Sequence, residues 1–362
     1  MVATRVGIIG SGWIVGVHLR VLSGFDDVKV VGIAARNPNS AGPLAESAGA
    51  RVYPDYRSML DAAELDAVFV CLPPYAAGEP ALAVADRAIA LFAEKPLGVD
   101  EEWPARIAKS IHEKGIVSCV GYQWRYLQVV DRARELLAAR PPQLVVGSWL
   151  GETPAAGWWI RKDQSGGQIV EQATHIFDLA RYLAGEMEPT AAAGRRVPRP
   201  AYPDSDILDV TETAVRFASG AIGSFSTTSL LAVAHRVELE TVSDGMALTL
   251  EVLNHRLVLR LGTETTTLAP PSEFDTPYEL QDRAFIDAVQ GKRNRIRSPY
   301  DDALLTHHLT MAVPRAIRRM RKNEGISRLP TEGGAARSRP ATSRSAAFPC
   351  GSTRPPSVAG DD

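Results

Sequence analysis

Cysteine is scarce. There are three, Cys71, Cys119 and Cys350, odd in number and far apart. That excludes a disulfide framework and a thiolate metal site, and no metal is expected. Neither charge sign is in excess: 40 basic against 42 acidic side chains leave a formal net charge of −2. A nucleic-acid binder carries a clustered basic surface, so no nucleic-acid partner is expected. No apolar run approaches the roughly 20 residues of a membrane span. The opening "MVATRVGIIG" has no basic stretch followed by a long apolar run, so neither a secretory leader nor a membrane is expected. The default compartment is the cytoplasm. No internal repeat is visible.

What remains is a chain of 362 residues with an ordinary apolar share of 45%, enough for two cores. The first 122 residues or so alternate short apolar runs with helical stretches. "TRVGIIG", "DVKVVGIAA", "RVYPDY", "LDAVFVCLPP", "IALFAEKP" and "GIVSCVGYQW" read as strands. Helices are expected to about residue 24 and around 40–49, 56–63, 78–90 and 101–114. This order predicts a parallel Rossmann sheet over 1–122.

The grammar then changes. A helix at 126–139, a strand "QLVVGSWLGE", an irregular stretch to 167 and a helix at 171–184 precede longer alternating strands. Those strands, from "DVTETAVRF" to "RLVLRLG", have turns at 243–245 and 253–256, and helices return at 278–290 and 301–321. The expected second domain, 123–330, is α+β with a mainly antiparallel open sheet. Residues 331–362, rich in Gly, Ser, Pro and Arg, read as a disordered tail.

"GIIGSGWIVG" sets Gly10 and Gly12 between a strand and a helix, the context a dinucleotide turn requires. Gly10 permits the tight turn, and Gly12 lets the backbone approach a pyrophosphate at the helix N-terminus. Val15 stands where a small residue is usual, and Gly16 comes one place late. The second strand ends "IAARNPN", with no acid between Asp27 and Glu46 to hold ribose hydroxyls. Arg36 would suit a 2′-phosphate, which favours NADP(H) and leaves NAD(H) possible; the plain alternative is a solvated loop arginine. Ser11, Trp13, Ile14, Leu72, Pro73, Glu94 and Lys95 complete the expected cofactor-binding set, at the carboxyl ends of neighbouring strands.

The combination "GIIGSGWIV", "VCLPP", "AEKPLG" and "GGQIVEQATHIFDLARYLAG" resembles the Gfo/Idh/MocA oxidoreductases, from about residue 4 to about residue 330. The resemblance implies that Lys95, the lysine of the family's EKP motif, contacts substrate and cofactor, with a cis bond to Pro96 expected. It implies that His175 matches the histidine of the D-x-G-x-H element, with Glu171 in the aspartate's place and Ala173 in the glycine's. The histidine of the family's "TPNxxH" turn has no counterpart here: Ala77 or Gly78 occupies that place. Assembly through the C-terminal sheet, dimeric or tetrameric, is also implied, with "FSTTSLL" on the contact face.

Chemistry asks for the same residues. Hydride transfer between a nicotinamide and a secondary alcohol needs a base for the hydroxyl proton, and His175 can serve. Lys95 would stabilise the alkoxide. Glu171, four places before His175, would orient the imidazole from one helix face, unless the two simply form a helix-surface pair. Arg125, Trp158, Trp159, Arg161 and Asp178 are candidate contacts for a polyol substrate. The alternatives are a packed tryptophan pair and a capping Asp178. The expected activity is NAD(P)-dependent oxidoreduction of a sugar, cyclitol or related polyol. Two other readings stand beside it: transient cofactor oxidation serving hydrolysis or elimination, and a non-catalytic nucleotide sensor.

Overall fold

A computed structural model describes residues 3–270, 273 and 275–323; the expected tail and Cys350 lie outside the described residues. Strands β1 (Thr4–Ile9), β2 (Val28–Ala34), β3 (Arg51–Tyr53), β4 (Ala67–Val70), β5 (Ala90–Ala93) and β6 (Ser118–Val120) form one parallel sheet in the order β3-β2-β1-β4-β5-β6. Helices α1 (Trp13–Ser23), α2 (Pro38–Ala48), α3 (Tyr56–Ala62), α4 (Pro74–Asp86) and α5 (Glu102–Lys114) make the crossovers. Every residue of β4 and β5 is buried, as expected of parallel strands covered on both faces. Chain direction across the sheet reverses between β1 and β4, so a crevice opens at their carboxyl ends.

Two prolines read as a strand end instead begin a helix. Pro73 is the N-cap of α4 and Pro74 its first residue, so this helix starts four residues before its predicted position. The first turn of a helix has no use for those N–H groups, and proline's fixed φ suits it.

A single 3₁₀ turn (Gln123–Tyr126) and α6 (Gln128–Ala139) lead into the second sheet. Strand β7 (Leu144–Glu152) is followed by α7 (Lys162–Ser165), α8 (Gln168–Glu171) and α9 (Thr174–Ala184). Strands β8 (Met187–Arg195), β9 (Val210–Phe217), β10 (Ile222–Leu231), β11 (Arg236–Ser243), β12 (Met246–Glu251), β13 (Arg256–Leu261) and β14 (Glu264–Leu268) complete eight strands with β7. Their order is β14-β13-β12-β11-β7-β10-β9-β8, antiparallel except for the β7–β10 pair. The edge strands β8 and β14 have no counterpart in the sequence reading. Pro189 and a register shift beside it disguise β8, and a sheet edge is where a strand tolerates proline.

Phe225 and Thr227 of β10 are buried towards the helices, whereas Ser224, Ser226 and Thr228 on the opposite face are half-buried. Phe177 of α9 stacks on Phe225 at 4.3 Å, so α9 anchors the covered face. The chain then returns to the first sheet. Helix α10 (Thr276–Val289) buries Phe285 and Ile286 among Val6, Ile8, Phe69 and Phe92. Helix α11 (Tyr300–Asn323) packs along β8 and α9. Among the described residues no helix is long and apolar enough to cross a membrane.

Candidate active site

The glycine turn is set by sterics. Gly10 has φ +129°, and a Cβ there would fall 2.2 Å from the Cys71 carbonyl oxygen. Gly12 caps α1 in an extended conformation with nothing within 4 Å of a would-be Cβ, and the first turn of α1 carries no acid. Open backbone at a helix N-terminus without a competing carboxylate fits a pyrophosphate. Val15 does not disturb this arrangement: it is fully buried among Val6, Ile8 and Phe69, so a larger residue at the third position is accommodated by the core. Beyond the turn, Ser11 Oγ lies 2.7 Å from Ser40 Oγ on α2. Arg36 is exposed in the loop between β2 and α2.

At the end of β5, the Lys95–Pro96 peptide is cis. Lys95 Nζ donates to the Glu171 carbonyl oxygen at 2.9 Å and to Glu171 Oε1 at 2.8 Å. Trp159 Nε1 donates to Glu171 Oε2 at 2.6 Å. Both carboxylate oxygens are therefore engaged, and neither holds His175. This corrects the orienting role expected for Glu171. The predicted helix 171–184 is in fact broken: α8 ends at Glu171 and α9 begins at Thr174, so the four-residue spacing no longer puts both side chains on one face.

His175 is positioned by aromatic rings. Its imidazole lies 4.7 Å from the Trp124 ring and 6.2 Å from Trp149, with Tyr122 edge-on at 5.8 Å. Burial lowers its pKa well below the usual value, and the Lys95 charge lowers it further.

Behind Lys95 lies a charged cluster that is almost dry. His18 Nδ1 is 2.7 Å from Asp282 Oδ2 and His18 Nε2 is 3.2 Å from Glu94 Oε1. Glu94 Oε2 accepts the Lys95 backbone N–H at 3.2 Å. Burial opposes protonation of His18, but the charge and hydrogen bond of Asp282, assisted by Glu94, push its pKa up to about 10. Gly121 makes room for this carboxylate, since a Cβ there would lie 2.4 Å from Glu94 Oε1.

Gly12, Trp13, Ile14, Leu72, Pro73, Glu94, Lys95, Trp158, Trp159, Glu171 and His175 all line one cleft of about 800 Å³. Arg125 and Asp178 do not. They pair with each other, Arg125 Nε to Asp178 Oδ2 at 2.7 Å, both about 1% exposed. Both expected substrate roles are corrected by this pairing, as is the capping alternative for Asp178. Arg161 is exposed outside the cleft lining, and its nearest carboxylate, Asp163, is 4.0 Å away. At the place of the missing family histidine, Gly78 sits against Trp103, with only 2.5 Å between a would-be Cβ and the ring.

Trp124, Trp149, Glu152, Tyr278 and His255 also line the cleft and were not singled out in the sequence. Trp124 stands directly before Arg125, and nothing local in the sequence distinguishes it as a wall of the cleft. His18 and Asp282 are 264 residues apart, a pairing that no window of sequence contains. Among the described residues no group of His, Cys, Asp and Glu could hold a metal ion.

A family profile described as an oxidoreductase family with an NAD-binding Rossmann fold matches residues 4–122, and the GFO/IDH/MocA C-terminal domain profile matches 141–247. An uncharacterized Schizosaccharomyces pombe protein is 28% identical over 62% of this chain, and the match spans 62% of that protein's own length. Inositol 2-dehydrogenase of Rhizobium meliloti is 26% identical over 88% of this chain and 98% of its own. A solved structure of levoglucosan dehydrogenase with NADH and levoglucosan superposes with a TM-score of 0.80 at 21% identity, covering 88% of this chain and 97% of the other.

Proposed function

The chain belongs to the GFO/IDH/MocA oxidoreductase family, and on that premise we propose that it is an NAD(P)-dependent enzyme interconverting a secondary alcohol and a ketone of a sugar, cyclitol or related polyol. The observation that carries the reading is the meeting of the Lys95 ammonium and the His175 imidazole in one cleft with an open glycine turn. Burial and the Lys95 charge keep the imidazole neutral near pH 7, the form able to accept the hydroxyl proton at a ring nitrogen. Lys95, anchored by two Glu171 oxygens, retains an N–H to stabilise the alkoxide. A bound nicotinamide supplies the two-electron acceptor for the carbinol C–H bond. The aromatic walls hold the apolar faces of a polyol and keep water from the reacting carbon.

We read the nucleotide as NADP(H) rather than NAD(H). The absence of a carboxylate after β2, the exposed Arg36, and the Ser11 and Ser40 hydroxyls support that choice. Calorimetric titration of both nucleotides into wild type and Arg36→Ala tests it; equal affinities in wild type would remove the preference. The half-buried outer face of the second sheet, small and polar at Ser224, Ser226 and Thr228, supports a homo-oligomer. Light scattering of Ser226→Arg tests that, and an unchanged oligomer, or a monomeric wild type, would count against it.

For the activity itself, reduction of NADP⁺ and NAD⁺ is followed at 340 nm with a panel of polyols. Lys95→Ala and His175→Ala are each expected to lower kcat by about 10²–10⁴-fold. Full turnover in either variant would overturn the assignment.

A further inference from the structure

The cleft is poor in positive charge. Among its described lining residues Lys95 is the one lysine or arginine, and Glu171 already engages its Nζ at 2.8 Å. The two lining histidines, His175 and His255, both have lowered pKa values through burial, so neither adds a cation near pH 7. Against this stand three carboxylates. Glu94 is held by His18, and Glu171 by Lys95 and Trp159. The third is Glu152, the last residue of β7, where pairing with β10 becomes irregular between Thr228 and Leu231. Glu152 is half-buried, and its carboxylate makes no hydrogen bond or ion pair among the described residues, in a cleft whose walls include Trp149 and Trp158.

A half-buried carboxylate without a protein donor, in a cleft walled partly by indole rings, retains acceptor capacity that only a donor can satisfy. Anion recognition requires the opposite: arginine, lysine or converging backbone N–H groups aimed at the phosphate or carboxylate. Beside Glu152, an anionic substituent would meet repulsion and find no free lysine or arginine among the described lining residues.

We infer that Glu152 is a specificity-determining residue that accepts hydrogen bonds from hydroxyl or ammonium groups of the substrate, and that the substrate carries neither phosphate nor carboxylate. The inference rests on the reading above that a polyol is bound in this cleft. Hydroxyl and ammonium donors share the chemistry Glu152 offers, and the variants below separate them.

The test uses the whole chain with saturating nucleotide and two readouts. One is NAD(P)H production; the other is quenching of tryptophan fluorescence, which reports binding without turnover. Probes are myo-inositol, glucosamine, glucuronate and glucose 6-phosphate. In wild type, glucuronate and glucose 6-phosphate are expected to bind and react at least 100-fold less well than the better of the first two. Glu152→Ala is expected to raise KM and the binding midpoint for the preferred probe at least tenfold, with kcat within threefold. Glu152→Asp should recover part of that loss. Glu152→Gln keeps an acceptor oxygen, so it spares a hydroxyl-bound probe and weakens an ammonium-bound one. Glu152→Lys should narrow or invert the discrimination against glucuronate.

Stronger binding of either anionic probe by wild type, or an unchanged KM and midpoint in Glu152→Ala, would overturn the inference. So would quenching by none of the neutral or cationic probes. Binding with this pattern but no NAD(P)H production would leave the inference standing and sink the dehydrogenase reading instead.

Discussion

Two buried charge clusters flank the cleft, and they use different cations. In one, His18 bridges Asp282 and Glu94 beneath the Lys95 turn. In the other, Arg125 bridges Asp178 and Asp302, donating also to the Arg297 carbonyl at 2.6 Å, while Thr306 donates to Asp178 Oδ1 at 2.8 Å. Both tie early parts of the chain to the last two described helices. The guanidinium stays charged at any pH the protein survives, whereas the imidazole can lose its proton. The Arg125 cluster is thus a fixed joint, and the His18 cluster is a joint with a pH limit. From pH 6 to 9 only the second can be loosened without mutation.

The sharpest way to break the comparison is to remove the fixed cation. Arg125→Met leaves Asp178 buried without its partner and should destabilise the fold by about 3–5 kcal/mol, nearly equally from pH 6 to 9. Urea denaturation across that range checks it, and a loss confined to one end of the range would contradict it. Next in size is Asp282→Asn, which removes the main group raising the His18 pKa and should remove about 1.5–3 kcal/mol at neutral pH.

Here the sign matters. Because the folded pKa of His18, about 10, lies above the unfolded value of 6.5, its contribution is complete below pH 6.5 and disappears as pH rises through 10. Wild-type stability should therefore fall more steeply than that of Asp282→Asn between those limits. Parallel curves would show that His18 is not the titrating group.

Gly121→Ala sharpens the link from cluster to site. The added methyl must displace the Glu94 carboxylate, with an expected destabilisation of about 1–3 kcal/mol and a loss of kcat exceeding any change in nucleotide affinity. The smallest effect concerns His175. Replacing Lys95 with Met removes the positive charge that helps hold its pKa down, so the imidazole pKa should rise. Proton NMR of the ring against pH would register an unchanged or lower value as a failure.

The parallel sheet was legible because its signals are local: apolar runs, a glycine turn and helical spacing repeat over short distances. Lys95 and His175 stand out in the sequence for the same reason, each inside a short motif, and the fold brings both to one cleft. Other assignments failed where a local pattern had two physical meanings. The chemical type of Arg125 and Asp178 suits substrate contacts, yet each is the other's partner. The spacing of Glu171 and His175 suits a helix face, but the backbone breaks between α8 and α9 and turns the carboxylate to Lys95. His18 has no motif, because its meaning depends on Asp282, supplied by a helix that begins long after the first sheet ends.

That late helix has a consequence for how the chain is made. Phe285 meets the Phe69 and Phe92 rings edge-on at 5.5 and 5.6 Å, inside the nucleotide-binding layer. A nascent chain that has emerged only as far as β6 still exposes that aromatic patch and leaves His18 without its strongest partner. The first third to be synthesised thus waits for nearly the whole described chain before its interior closes. A fragment cut after residue 122, where the Rossmann profile match ends, should stay in that unfinished state.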